Sequence, residues 1–281
     1  MDFFEKAKRK TFNTIGLLIN RLSQNESGDT SDLVKTVTDG MPELLRKAGA
    51  EGTVLLRNDD VLPLSKDSRI SVFGRVQNDY MYVGYGSGGD VIKPYTVSLM
   101  EGLRNVDALL NEELADIYSQ WCKSNPPDHG FWGHWPHYYN EMPIDDALIQ
   151  KSAENSDCAV IVIGRSAGED RENYLTKGSY YLTDDESSLI ERVSATFKKT
   201  VIILNIGSIM DMAWEEKLLK NNSAVLMPYQ GGMESGNSVA DVLFGIAEPS
   251  GRLTDTIADC YESYPCSKHF GEKEYNNFFL K

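Results

Sequence analysis

The chain has 281 residues, with 28 Lys and Arg against 42 Asp and Glu, a formal charge of −14. Its hydrophobic content of 41% and charged content of 25% are those of a folded globule long enough to bury a core without disulfide staples. Such acidity disfavours a phosphate-backbone partner or an anionic lipid surface, so no nucleic acid and no membrane is expected as partner. No run of about 18 apolar residues is present to cross a bilayer.

In chain order, the first 27 residues read as an amphipathic helix, and Ser23 to Asp32 as a polar linker. A second helical pattern runs from Leu33 to about Ala50, with Pro42 marking its true start, because proline is tolerated in a first turn. Residues 1–50 are therefore expected to be a helical lead-in and 51–281 one domain. Thr53-Val-Leu-Leu-Arg57 predicts a short strand, and Val61-Leu-Pro-Leu64 an irregular edge piece after the turn residues Asn58-Asp-Asp60.

Four short runs follow: Ile70-Ser-Val-Phe-Gly74, Ala159-Val-Ile-Val-Ile-Gly164, Val201-Ile-Ile-Leu-Asn-Ile-Gly207 and Ala224-Val-Leu-Met-Pro228. Nearly every position is apolar, which suits strands covered on both faces, as in a parallel sheet. Helical patterns lie over 143–155, 184–197 and 234–244, the second opening with three acids, as the helix dipole favours. This alternation predicts an α/β fold with an open, mostly parallel sheet sandwiched between helices. Four or five strands are too few for an eight-stranded barrel, and the stretch from Trp121 to Met142 reads as a long irregular insert.

The cysteines, Cys122, Cys158, Cys260 and Cys266, are too scattered for a disulfide framework or a zinc site, and Cys158 reads as a buried thiol. No signal-peptide pattern follows the basic start, so a cytoplasmic setting is expected.

Three segments carry candidate chemistry. Gly84-Tyr-Gly-Ser-Gly-Gly89 lacks the strand–loop–helix context and the Gly-Lys-Ser/Thr of a phosphate loop. It reads as a loop whose glycines let backbone approach a neutral ligand. Phe131-Trp-Gly-His-Trp-Pro-His-Tyr-Tyr139 holds five aromatics and two histidines. It reads as an aromatic cluster pinning a loop or as a wall for a sugar. His129, His134 and His137 lack a metal-ligand spacing, and no metal or cofactor is expected. Ile163-Gly-Arg-Ser-Ala-Gly-Glu-Asp-Arg-Glu-Asn173 crowds Glu169, Asp170, Arg171 and Glu172 after an apolar strand, where open α/β sheets gather ligands. Twelve acids against four bases between Glu141 and Glu191 surround it. Repulsion among carboxylates would raise one of them toward a value useful for proton donation, whereas a plain strand-end ion-pair cluster would need no such role.

Several segments, in order, resemble the α/β sandwich domain of glycoside hydrolase family 3, the β-glucosidase family. They are Glu51-Gly-Thr-Val-Leu-Leu-Arg-Asn58 with Val61-Leu-Pro-Leu64, Ile70 to Gly74, Gly168-Glu-Asp-Arg171, Leu204-Asn-Ile-Gly207, Gln230-Gly-Gly232, Ala240-Asp-Val-Leu-Phe-Gly245 and Pro249-Ser-Gly-Arg-Leu-Thr254. The resemblance implies retaining hydrolysis of a β-glucoside or oligosaccharide, with an aspartate nucleophile on a barrel domain and Glu169 as general acid/base. It implies substrate contacts from Trp132, Trp135, Ser87 and Arg171. In three respects the sequence departs from the family pattern. Glu169 abuts Asp170 where many members have two intervening residues, which makes Glu172 the second candidate. Tyr229 stands where Trp is common, and no Ser-Asp-Trp nucleophile motif occurs. The layout resembles a member in which the sandwich precedes the barrel, truncated before it, so the chain alone is expected to be inactive. The alternative is a non-catalytic sugar-binding or partner-docking domain.

Overall fold

The computed structural model describes residues 37–86, 93–130, 135–169 and 173–268. The helix expected over the first 27 residues and the linker Ser23 to Asp32 lie outside the described residues. Helix α1 (Met41–Gly52) begins with Pro42 in its first turn, as the sequence predicts. Next come β1 (Val54–Asn58), β2 (Arg69–Phe73), α2 (Leu99–Asn105), β3 (Leu109–Leu110), α3 (Glu112–Ser124) and α4 (Asp146–Glu154). The chain continues through β4 (Cys158–Arg165), α5 (Asp184–Thr196), β5 (Lys199–Ile206), α6 (Trp214–Leu218), β6 (Asn222–Met227) and α7 (Ser235–Leu243).

The six strands form one sheet in the order β1-β6-β5-β4-β2-β3. All neighbours are parallel except β1, which runs antiparallel to β6 with an irregularity between Leu55 and Arg57. The fold is thus the expected mostly parallel α/β sandwich. Its all-apolar strands have a direct cause. Val160, Val162, Val201 and Ile203 point to one core, under α1, α2 and α7. Ala159, Ile161, Ile163, Ile202 and Leu204 point to the other, under α3, α4, α5 and α6. Successive side chains alternate between faces, so a strand buried on both must be apolar at every position. Cys158 lies in the first core, where burial pushes its thiol up to about 12.

Some elements differ from the sequence reading. Trp121 belongs to α3, capped by the Asn111 side chain, so the irregular insert begins only after Ser124. The two-residue β3 raises the strand count to six, and helix α2 before it is set by a capping box between Ser98 and Glu101. Residues 61–64 pair with no strand; the Leu64 amide instead donates to the carbonyl of Leu243, the last residue of α7.

The connections leave the centre of the sheet in opposite directions. β2 is followed by α2 and β3 at one edge, and β4 by α5 and β5 toward the other. A switch point therefore lies between the carboxyl ends of β2 and β4, the place where open α/β sheets leave a crevice.

Helices α2 and α7 meet closely: a Cβ at Gly102 would stand 2.1 Å from the Gly236 carbonyl oxygen. Gly102→Ala should push the helices apart and lower stability by about 1–3 kcal/mol, read as a lower urea midpoint at unchanged m. An unchanged midpoint would show that the contact is not tight.

Candidate active site

Two loops diverge from the switch point. One follows β2 (residues 74–98) and the other follows β4 (residues 166–183). They are joined by backbone. The Tyr85 amide donates to the Ala167 carbonyl at 2.7 Å, and the Glu169 amide donates to the Tyr85 carbonyl at 3.1 Å. Tyr85 and Gly168 form a parallel bridge between the loops. Gly168 has φ of +150°, and a Cβ there would stand 2.1 Å from the Tyr85 carbonyl oxygen, so glycine is the residue this crossing admits. Glu169 is thereby fixed by its main chain at the crevice.

Tyr85 is also the centre of an aromatic group. Its ring stacks on Trp135, with centroids 5.4 Å apart and planes 8° from parallel, and Trp135 is buried. The Tyr85 hydroxyl meets the Tyr139 hydroxyl at 2.9 Å. Burial, and then the Tyr85 contact, push the Tyr139 hydroxyl far above its usual range. The structure therefore brings two of the sequence candidates, Glu169 and Trp135, onto one residue. Trp132, Ser87, Arg171 and Glu172 lie outside the described residues. His129 and His137 part ways, His129 bonding Tyr139 and His137 bonding Ser179, both at 3.3 Å. Among the described residues, no group of three His, Cys, Asp or Glu is disposed to hold a metal ion.

The aromatic insert is anchored by Arg75, which follows β2 and is almost fully buried. Its guanidinium donates to the Asn125 carbonyl (2.7 Å) and the Asn140 carbonyl (2.9 Å), clamping the two ends of the insert, and pairs with Asp79. It lies over the Trp121 ring at 5.0 Å and the Tyr139 ring at 5.7 Å. A cavity of about 310 Å³ opens beside this clamp, lined by Arg75, Asp128, His137, Tyr138, Tyr139 and Lys177 among others. The insert is tied to the second loop as well: the Ser166 amide donates to the His137 carbonyl at 2.8 Å, and its hydroxyl bonds the Pro136 carbonyl.

Asn205, in β5, closes the third side. Its side chain accepts from the Met81 amide (2.7 Å) and donates to the Met81 and Tyr229 carbonyls (both 2.8 Å). Buried and fully bonded, it holds the first loop against the strand ends. Tyr85, Arg75 and Asn205 were not singled out by sequence. Only Asn205 carries a signal there, as a polar residue inside an otherwise apolar run.

The sequence profile of the glycosyl hydrolase family 3 C-terminal domain matches residues 53–279. The chain belongs to glycoside hydrolase family 3. A β-glucosidase from Ruminococcus albus is 42% identical to this family 3 domain over 83% of the chain and 25% of its own length. Beta-glucosidase A from Butyrivibrio fibrisolvens is 33% identical over 83% of the chain and 30% of its own length. Among solved structures, a β-glucosidase from Paenibacillus barengoltzii superposes with a TM-score of 0.81 at 40% identity, over 85% of this chain and 26% of its own. β-glucosidase 3B from Thermotoga neapolitana, in complex with glucose, gives 0.72 at 37% identity, over 82% and 33%. The family 3 domain thus spans a quarter to a third of the length of these relatives.

Glu141 sits beneath the site. Its carboxylate accepts from the Arg75 and Met142 amides, each at 2.8 Å. Burial pushes it from an ordinary 4.5 up to about 7 despite these donors. Between those values the unfolded chain has lost the proton and the folded chain keeps it. The stabilising contribution is complete below about 4.5 and is lost as pH rises through about 7. Glu141→Gln should therefore flatten the decline in thermal midpoint between about pH 5 and about pH 8. An equal decline in parent and variant would move that proton elsewhere.

Proposed function

We propose that this chain is the sandwich domain of a retaining β-glucosidase-like enzyme acting on a β-glucoside or oligosaccharide in a cytoplasmic setting. Glu169 is its general acid/base, with Glu172 the second choice, and an aspartate nucleophile is supplied by a barrel domain in the same or another polypeptide. Trp132, Trp135, Ser87 and Arg171 are the substrate contacts of this reading.

One observation carries it: Glu169 stands at the carboxyl end of β4 beside the switch point, its amide held by the Tyr85 carbonyl across the crevice. An acid so placed can reach a sugar bound over the strand ends without depending on a flexible tether. In the two-carboxylate mechanism, it protonates the leaving oxygen as the nucleophile attacks the anomeric carbon, and then takes a proton from the water that releases the glycosyl group. Retention requires the two carboxyls to come within about 5–5.5 Å, which defines where the partner domain must sit. The aromatic stack of Trp135 on Tyr85 next to Glu169 supports a sugar-facing wall, because apolar sugar faces pack on such rings. The same stack would serve a non-catalytic sugar-binding domain, which calorimetric titration of the chain with glucose and cellobiose would reveal as binding without turnover.

Loss of a general acid matters most when the leaving group is a poor one. In a polypeptide that carries the barrel, Glu169→Gln should slow alkyl β-glucosides by about 10²–10⁴-fold and nitrophenyl β-glucosides far less. Equal slowing of both would transfer the acid role to Glu172. The 281-residue chain by itself should turn over neither substrate; robust turnover would remove the need for a second domain.

A further inference from the structure

The loop that bears Glu169 is long, and both its ends pass through one side chain. Arg165 is the last residue of β4, and its guanidinium turns inward instead of toward solvent, leaving the residue 1% exposed. It donates to the carbonyl of Gly164 on its own strand at 2.7 Å. It also donates to the carbonyls of Ser179 (3.1 Å) and Tyr181 (3.3 Å) on the returning limb. Its two terminal nitrogens grip both carboxylate oxygens of Glu186 at 2.6 and 2.7 Å. Glu186 in turn accepts from the Thr183 amide, and Thr183 caps α5 in a reciprocal box. The departure of the loop from β4 and its entry into α5 are thus set by one buried pair.

Such a pair is a poor way to gain stability. Removing two ions from water costs about as much as their attraction returns, and well-packed apolar replacements are often neutral or better. What a forked, two-point contact supplies is a single geometry. The surroundings point the same way. The Arg165 carbonyl accepts from the Gln230 side chain at 3.4 Å, and its guanidinium lies 5.9 Å from the centre of the Tyr138 ring in the aromatic insert. The limb it holds carries Ser179, which meets His137, and Tyr174, whose ring meets the His137 ring edge-on at 5.2 Å. Arg165 therefore meets three loops of the site, two through its guanidinium and the third through its carbonyl.

We infer that Arg165 and Glu186 are positioning residues that fix where the Glu169 loop stands at the crevice. The inference rests on the reading of Glu169 as the acid for its catalytic meaning, but its structural content can be read without catalysis.

Two variants test it: Arg165→Lys, which keeps the charge and loses the fork, and the paired Arg165→Met/Glu186→Leu, which removes both charges. In this chain, NMR-detected amide exchange at Tyr85 and Glu169 should accelerate by about tenfold or more in both, with Ile202 and Ile203 of β5 unchanged. Loop amides within about twofold of the parent would overturn the inference, and so would acceleration spread evenly over β5, the mark of a stability element. In the barrel-bearing polypeptide, Arg165→Lys should lower kcat on alkyl glucosides by about tenfold to a hundredfold at unchanged KM. It should spare nitrophenyl glucosides, and an equal loss on both would also overturn the inference. Should Glu169→Gln show no dependence on leaving group, the acid assignment fails, while the amide-exchange arm still decides the positioning.

Discussion

The candidate site depends on a main-chain contact between two loops that the fold itself sends apart. At the switch between β2 and β4 the chain leaves the sheet in two directions, and nothing in the strand ladder joins the diverging segments. The two hydrogen bonds shared by Tyr85, Ala167 and Glu169 make that join. Without them, the Glu169 end of the acid-bearing loop would lose its main-chain tie to the loop that follows β2. With them, the loop is held near its start, at the residue whose carboxyl faces the chemistry in the proposed mechanism. Gly168 is the condition for this closeness, because any side chain there would collide with the opposing carbonyl.

Around that bridge, two buried arginines perform parallel tasks. Arg75 follows β2 and spans the ends of the aromatic insert at Asn125 and Asn140. Arg165 ends β4 and spans the ends of the Glu169 loop. Each sits where a parallel strand stops and each bonds carbonyls that loop geometry would otherwise leave without donors, a need that a five-donor planar group meets well. Each also pairs with an acid, Asp79 or Glu186. In a chain of charge −14, these cations are placed inside, where they organise backbone, so much of the negative charge is left to the exterior.

The sheet was readable in the sequence because burial on both faces leaves no room for polar residues, and four runs of Val, Ile and Leu record it. Helix α3 was harder, because Trp121 belongs both to its turn spacing and to the aromatic stretch that follows. Helix α2 has only seven residues and a glycine inside, which breaks its pattern. Glu169 could be picked out as an acid just past an apolar strand. Tyr85 could not, because its decisive contribution is made by its amide and carbonyl, which every residue but proline possesses. Arg165 read as one base among many acids. Its inward turn depends on the carbonyls of Ser179 and Tyr181, 14 and 16 residues further on.

The bridge at Tyr85 separates two properties that active sites often entangle. The place of the carboxyl is set by backbone atoms, while the ring of residue 85 and its stack on Trp135 are side-chain matters. Substitutions at position 85 can reshape the wall that a ligand would meet and still leave the acid where it is. The ring at that position can therefore vary in shape with the main chain of Glu169 held in the same place.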